Sequence, residues 1–99
     1  MNIKIQSIHF DADKKLIAFV EEKVSKLKHF WDHIEDVDVF LRLEKAEDHN
    51  NKVAEIKTHF SGKLLFSKEH HSTFEGAVDA AYMALSRQVK REKEKHQGL

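Results

Sequence analysis

Arg87, Arg91 and Lys95 recur at i, i+4 and i+8 near the end of the chain, with Lys90 beside them. At about 100° and 1.5 Å per residue, a helix would set the three in one row about 12 Å long. Such a row can meet two or three phosphates of a polyanion, which requires cations at repeated spacing rather than a particular motif. It can also be a solvated helix end, because cations suit the negative end of the helix macrodipole. A second group, Lys23, Lys26 and Lys28, lies on an earlier helical stretch. Two separate sets raise the phosphate reading above the solvated one.

Other residue types offer less chemistry. His29 and His33 have the i, i+4 spacing of paired metal ligands, but no H-E-x-x-H pattern and no third ligand accompanies them. Ordinary surface histidines are the expectation, and no metal or cofactor is called for. His70 and His71 are expected in a loop. No serine lies in a G-x-S-x-G elbow, and three scattered glycines make neither a P-loop nor a G-x-G-x-x-G turn. Asp36, Asp38 and Glu44 fall on the polar side of a strand. The absence of each motif argues against an enzyme.

Composition sets the frame for these residues. With 99 residues and no cysteine, the expectation is one domain over residues 1–99 that folds without disulfides. No run approaches the roughly 18 apolar residues of a membrane span, and a cytoplasmic protein is the default. The formal net charge is zero, yet it is unevenly spread. Residues 1–30 carry +2, residues 31–50 carry −5, residues 51–86 balance, and residues 87–99 carry +3. Local basic patches therefore coexist with a neutral total.

The elements that must hold the cations follow from periodicity. Ile3 and Ile5 alternate with Lys4 and Gln6, and a phase change to Ile8 and Phe10 predicts a bulge or exit near Ser7. Asp11 or Asp13 can cap a helix whose stripe is Leu16, Ile17, Val20, Val24 and Leu27, ending near His29 or Phe30. Phe30 or Trp31 is expected to close the core. Val37, Val39, Leu41 and Leu43 mark a second strand. A polar loop over residues 44–52 contains Asn50 and Asn51, both tolerant of turns. Ala54, Ile56, Thr58 and Phe60 mark a third strand, and Ser61-Gly62 a tight turn. A fourth strand runs on through Leu64 and Phe66, with Leu65 and Ser67 opposite. Ser72-Thr73-Phe74-Glu75 fits a capping box opening a helix to about Lys95, with Phe74, Ala77, Val78, Ala81, Leu85 and Val89 inward.

The order is β-α-β-β-β-α, an α+β class. It predicts a parallel first pair, an antiparallel meander after it, and a four-stranded sheet with both helices on one face. The other face is expected to stay in water. That is the general plan of a double-stranded-RNA-binding domain.

Two stretches carry a family resemblance. One is Ile5 to Leu16 (IQSIHFDADKKL) followed by Phe19 to Leu27 (FVEEKVSKL); the other is Ala77-Val78-Asp79 with Leu85 to Arg91 (LSRQVKR). From Ile3 to Lys95 the chain resembles the ribosome hibernation promoting factor family, also called the ribosome-associated inhibitor or sigma-54 modulation protein family. The resemblance implies binding to the 30S ribosomal subunit near the decoding centre, occlusion of the A and P sites, and arrest of translation under stress or in stationary phase. It implies contacts to 16S rRNA from Lys23, Lys26, Arg87, Arg91 and Lys95, with Lys28 and Lys90 as additions. Length matches the short form, which is associated with ribosome dimers made with a separate modulation factor. Where many members open the last helix with Asp-x-Tyr, this chain has Thr73-Phe74-Glu75, which leaves the cap to Ser72 or Thr73, and a position often polar or basic is Ile8. Two other readings of the same residues are a general structured-RNA binder and a protein–protein module using the open sheet face around Phe40.

Overall fold

The computed structural model describes residues 1–29 and 34–96. The elements run β1 (Asn2–Ile8), α1 (Lys14–Ser25), a 3₁₀ turn (Lys26–His29), β2 (Asp36–Leu43), β3 (Lys52–Phe60), β4 (Lys63–His71) and α2 (Phe74–His96). This is the expected β-α-β-β-β-α order. One four-stranded sheet has the spatial order β1-β2-β3-β4. The β1–β2 pair is parallel and the other two pairs are antiparallel.

Parity assigns the faces. Val37, Val39 and Leu41 of β2, Ala54, Ile56 and Phe60 of β3, and Leu65 of β4 are buried on one face. Leu16, Val20, Val24 and Leu27 of the first helical segment and Ala77, Val78, Ala81, Leu85 and Val89 of α2 close over them. The two helical stripes land as the 3.6-residue period requires. Among the buried hydroxyls, two bond across elements: Thr58 Oγ1 donates to the Asp36 carbonyl at 2.8 Å, and Ser67 Oγ to the Ala81 carbonyl at 2.7 Å. The second of these ties β4 to α2.

Local chemistry explains where elements start and stop. Asp13 caps α1, its Oδ1 accepting from Leu16 N–H at 2.8 Å. The α-helix stops at Ser25, and the 3₁₀ turn carries Leu27 into the core before the segment ends at His29. β1 has no bulge at Ser7; its register with β2 is continuous to Ile8–Arg42. The chain leaves at His9, which takes a left-handed φ of 65°. Ser61 and Gly62 both have positive φ, as a two-residue hairpin between right-twisted strands needs. In the 44–51 loop the left-handed residue is His49 rather than either asparagine. Asp48 stabilises that turn by accepting from Asn50 N–H at 3.2 Å. Phe30, Trp31 and His33, expected to close the core or pair with His29, lie outside the described residues.

Two expectations about β4 are corrected, and of the two caps expected for α2 one is formed. His70 and His71 belong to β4, not to a loop. Leu65 and Ser67 face the helices, so Leu64 and Phe66 stand on the open face, about half exposed. The cap of α2 is Thr73: its Oγ1 accepts from Gly76 N–H at 3.0 Å, and helix bonding starts with Ala77 N–H to the Thr73 carbonyl. A Ser72–Glu75 box is not formed. Thr73 N–H instead donates to His71 Nδ1 at 3.2 Å. The His71 ring occupies the space where a Cβ on residue 76 would stand, so glycine is required for this close approach.

The open face holds an ion cluster. Arg42 donates to Glu44 at 2.9 Å and to Glu55 at 3.3 Å, while Lys68 and His70 reach Glu44 at 3.4 and 3.0 Å. Val53 is fully buried on this face, between Arg42 and His70 in register, where solvent exposure was expected. The His70 and Arg42 hydrogen bonds hold the Glu44 carboxyl down to about 2, from an ordinary 4.5. A depressed folded pKa stabilises above the unfolded value and loses that contribution as pH falls through the folded one. Glu44→Gln is therefore expected to lower stability at pH 7. The difference from the unaltered chain should shrink between pH 4.5 and about pH 2. Urea unfolding across that range checks it.

Candidate nucleic-acid interface

The topology aligns the two helices. β1 and β2 are parallel, so α1 runs back against both; β4 runs with β2, so α2 runs back in the same sense as α1. Two contacts agree. Phe10, just before α1, stacks on Phe74 at the start of α2 with ring centroids 4.7 Å apart. Further on, Lys23 meets Asp79 at 2.9 Å. Both helices therefore run in the same direction, with the last turn of α1 beside the second turn of α2. Lys26 and Lys28 lie in the 3₁₀ turn that follows α1, and Lys95 in the last turn of α2, where the macrodipole favours cations.

The seven predicted residues do not all stand alike. Arg87 and Arg91 are exposed and, among the described residues, have no ion-pair partner. Lys26 and Lys28, in the 3₁₀ turn, are likewise exposed and unpaired there. Lys95 is exposed, 3.5 Å from Glu92. Lys90 is exposed but engaged. Lys23 is the exception. Its side chain is 24% accessible, bound to Asp79, with its ammonium 5.8 and 5.9 Å from the Phe19 and Tyr82 ring centres. Asp79 neutralises it, so Lys23 joins the helices more than it offers charge to a partner.

Arg87, Arg91 and Lys95 come together with residues that periodicity alone did not single out. They line a groove of about 610 Å³ between α2 and the free edge of β4, with Lys63, Leu64 and Phe66. Lys23, Lys26, Lys28 and Lys90 do not line it. Glu92 lies buried along it and accepts from Lys63 at 2.9 Å. The Lys63 ammonium holds the Glu92 carboxyl below its usual range, so the acid stays ionised and fixes two lysines. Gln88 Nε2 donates to the Phe66 carbonyl at 2.7 Å, occupying an acceptor of the β4 edge. Lys63 and Glu92 are 29 residues apart, and no local pattern announces such a pair. Among the described residues no group of three or more metal-ligating side chains occurs, and no helix is long and apolar enough to cross a membrane.

The sequence of residues 3–97 matches the model of the family described as Sigma 54 modulation protein / S30EA ribosomal protein. The chain belongs to this family. Among curated relatives, a ribosome hibernation promoting factor of Pseudomonas putida is 29% identical over the whole chain and 93% of its own length. A ribosome hibernation promotion factor of Bacillus subtilis is 32% identical over 96% of this chain, but this chain spans only 50% of that longer protein. Among solved structures, the N-terminal domain of Thermus thermophilus Protein Y superposes with a TM-score of 0.78 at 29% identity, covering 92% of this chain and 98% of that one. A ribosomal subunit interface protein from Coxiella burnetii shares the fold, with a TM-score of 0.84 at 17% identity over 95% of this chain and 99% of that one.

Proposed function

We propose that this chain is a ribosome hibernation factor, acting as one ribosome-binding unit over residues 1–99. It binds the small ribosomal subunit near the decoding centre, fills the space of the A and P sites and arrests translation. The observation that carries this reading is the family match across residues 3–97, joined to exposed cations on the 3₁₀ turn after α1 and on the C-terminal half of α2. Relatives named ribosome hibernation promoting factor support it.

The physical mechanism is occlusion. Lys26, Lys28, Arg87, Arg91 and Lys95 supply phosphate contacts to 16S rRNA, with Lys90 as an addition and Lys23 positioning the helices. Folded RNA is recognised largely through shape and backbone, so no base-reading motif is needed. A sheet backed by two packed helices supplies the bulk that excludes transfer RNA. No bond is made or broken, and no catalytic group is required.

Sedimentation with purified small subunits is the direct test. The chain is expected to pellet with them at low salt, to be released as salt rises, and to compete with transfer RNA. A chain that stays in the supernatant, or one that pellets together with transfer RNA bound in the A and P sites, would overturn the reading.

A further inference from the structure

We propose that the outer edge of β1, with the flank of α1 beside it, is a docking surface for a second copy of this chain, which pairs β1 to β1 antiparallel about a two-fold axis and joins two four-stranded sheets into one. None of the residues that make this surface is among those assigned to 16S rRNA.

β1 is an outer strand of the sheet, and its pairing with β2 is regular from Asn2 to Ile8. Asn2 N–H donates to the Glu35 carbonyl, on the β2 side. Successive residues of a strand present their N–H and C=O groups to opposite sides, so those of Ile3, Ile5 and Ser7 point outward. Among the described residues no strand pairs with that side. Such edges are commonly blunted by proline, a bulge or several charges, and β1 carries only Lys4. The opposite edge is less open, because Gln88 holds the Phe66 carbonyl of β4. A second β1 set antiparallel places Ile5 opposite the partner's Ile5 and Ile3 opposite the partner's Ser7, so the outward groups meet in register. Lys4 then falls opposite the partner's Gln6, and no like charges face each other. The half-buried Ile3 and Ile5 gain cover from water.

The charges of α1 select this occupant. A shallow groove along the edge is lined by Met1, Ile3, Ala18, Glu21, Glu22 and Ser25. It sets Ile3 against a stretch of α1 centred on Glu21 and Glu22. Ile5 is about 6.6 Å further along β1, which is about four residues back along the oppositely directed α1, near Ala18. An axis through Ile5 therefore passes close to Ala18, which is exposed and small enough for two helices to approach. Lys14 and Lys15 precede Ala18 by four and three residues, and Glu21 and Glu22 follow it by three and four. Rotation about the axis brings Lys14 to the partner's Glu22 and Lys15 to the partner's Glu21, and the reverse. All four residues are exposed and without an ion-pair partner among the described residues. The surface is thus complementary to itself, in backbone and in charge.

Sedimentation velocity on the full chain tests this. At about 50 mM salt, where surface charges are weakly screened, the mass is expected to rise from one chain toward two as concentration increases. Amide exchange at Ile3, Ile5 and Ser7 should slow over the same range. Lys14→Glu with Lys15→Glu is expected to weaken the dimer at least about ten-fold, because lost pairs become like-charge contacts. Glu21→Lys with Glu22→Lys should do the same. The two variants mixed together should associate, since every contact across the axis is then opposite in sign. All four positions are exposed and the new charges suit the macrodipole of α1, so both variants stay folded, as circular dichroism checks. A mass of one chain at every concentration overturns the proposal. So does a dimer that either variant leaves intact, or one whose Ile3, Ile5 and Ser7 amides exchange as fast as in the single chain. Weakened variants that fail to associate with each other overturn it too. A lysine-rich peptide that slows those amides while the chain stays single gives the edge to another partner, and likewise overturns it.

Discussion

Replacing Arg87 and Arg91 together with alanine is expected to weaken binding to the small ribosomal subunit by about 40-fold at 0.1 M salt. The estimate follows from counterion release. Each neutralised phosphate contributes a slope of roughly 0.7–0.9 to the dependence of log affinity on log salt, which is about six-fold at 0.1 M relative to 1 M. Two lost contacts multiply, and the salt slope should fall by about 1.4 to 1.8. Both arginines are exposed and unpaired among the described residues, so the substitution removes charge without breaking a core contact. Stability should stay within about 0.5 kcal/mol, as for other surface changes. Binding measured across a salt series checks both parts; an unchanged slope would mean that these residues do not touch phosphate.

Leu85→Ala is expected to do the reverse. Leu85 is fully buried, on the stripe of α2 that packs against the sheet. Truncating a buried leucine costs about 2–5 kcal/mol, from lost transfer energy and from the cavity left behind. For a chain of this size that lowers Tm by at least about 8 °C. The charges of α2 are untouched, so the fraction that remains folded should bind the subunit with an unchanged salt slope. Thermal melts and salt-series binding on both variants separate charge from packing. A Leu85→Ala chain with an unchanged Tm would mean that α2 does not depend on this contact for its seat.

The same separation explains how much of the molecule could be read from the chain alone. Most core positions of α1, β2 and α2 follow from 3.6- and 2-residue periods, because burial of one face is a local arithmetic; Ile17 is only half-buried and Leu43, at the end of β2, is exposed. The Ser61-Gly62 turn was equally legible, since two positive φ values favour such a pair. The facing of the fourth strand was not. Leu64-Leu65-Phe66 is apolar at three consecutive positions, so its pattern does not say which parity faces the helices. Only packing decides, and it puts Leu65 with Ser67 under α2. Val53 likewise owes its burial to flanking Arg42 and His70, residues far off in sequence.

By itself the sequence determined the β-α-β-β-β-α order, the inward stripes and the presence of basic groups at both helix ends, because these depend on neighbours within one or two turns. Tertiary structure decided which cations are available. It spent Lys23 on Asp79, left Arg87 and Arg91 free of ion pairs among the described residues, and brought Lys63 of β4 to Glu92 of α2. Charge acts through space, and the distance between two groups on different elements is set only when the sheet closes and both helices settle on it.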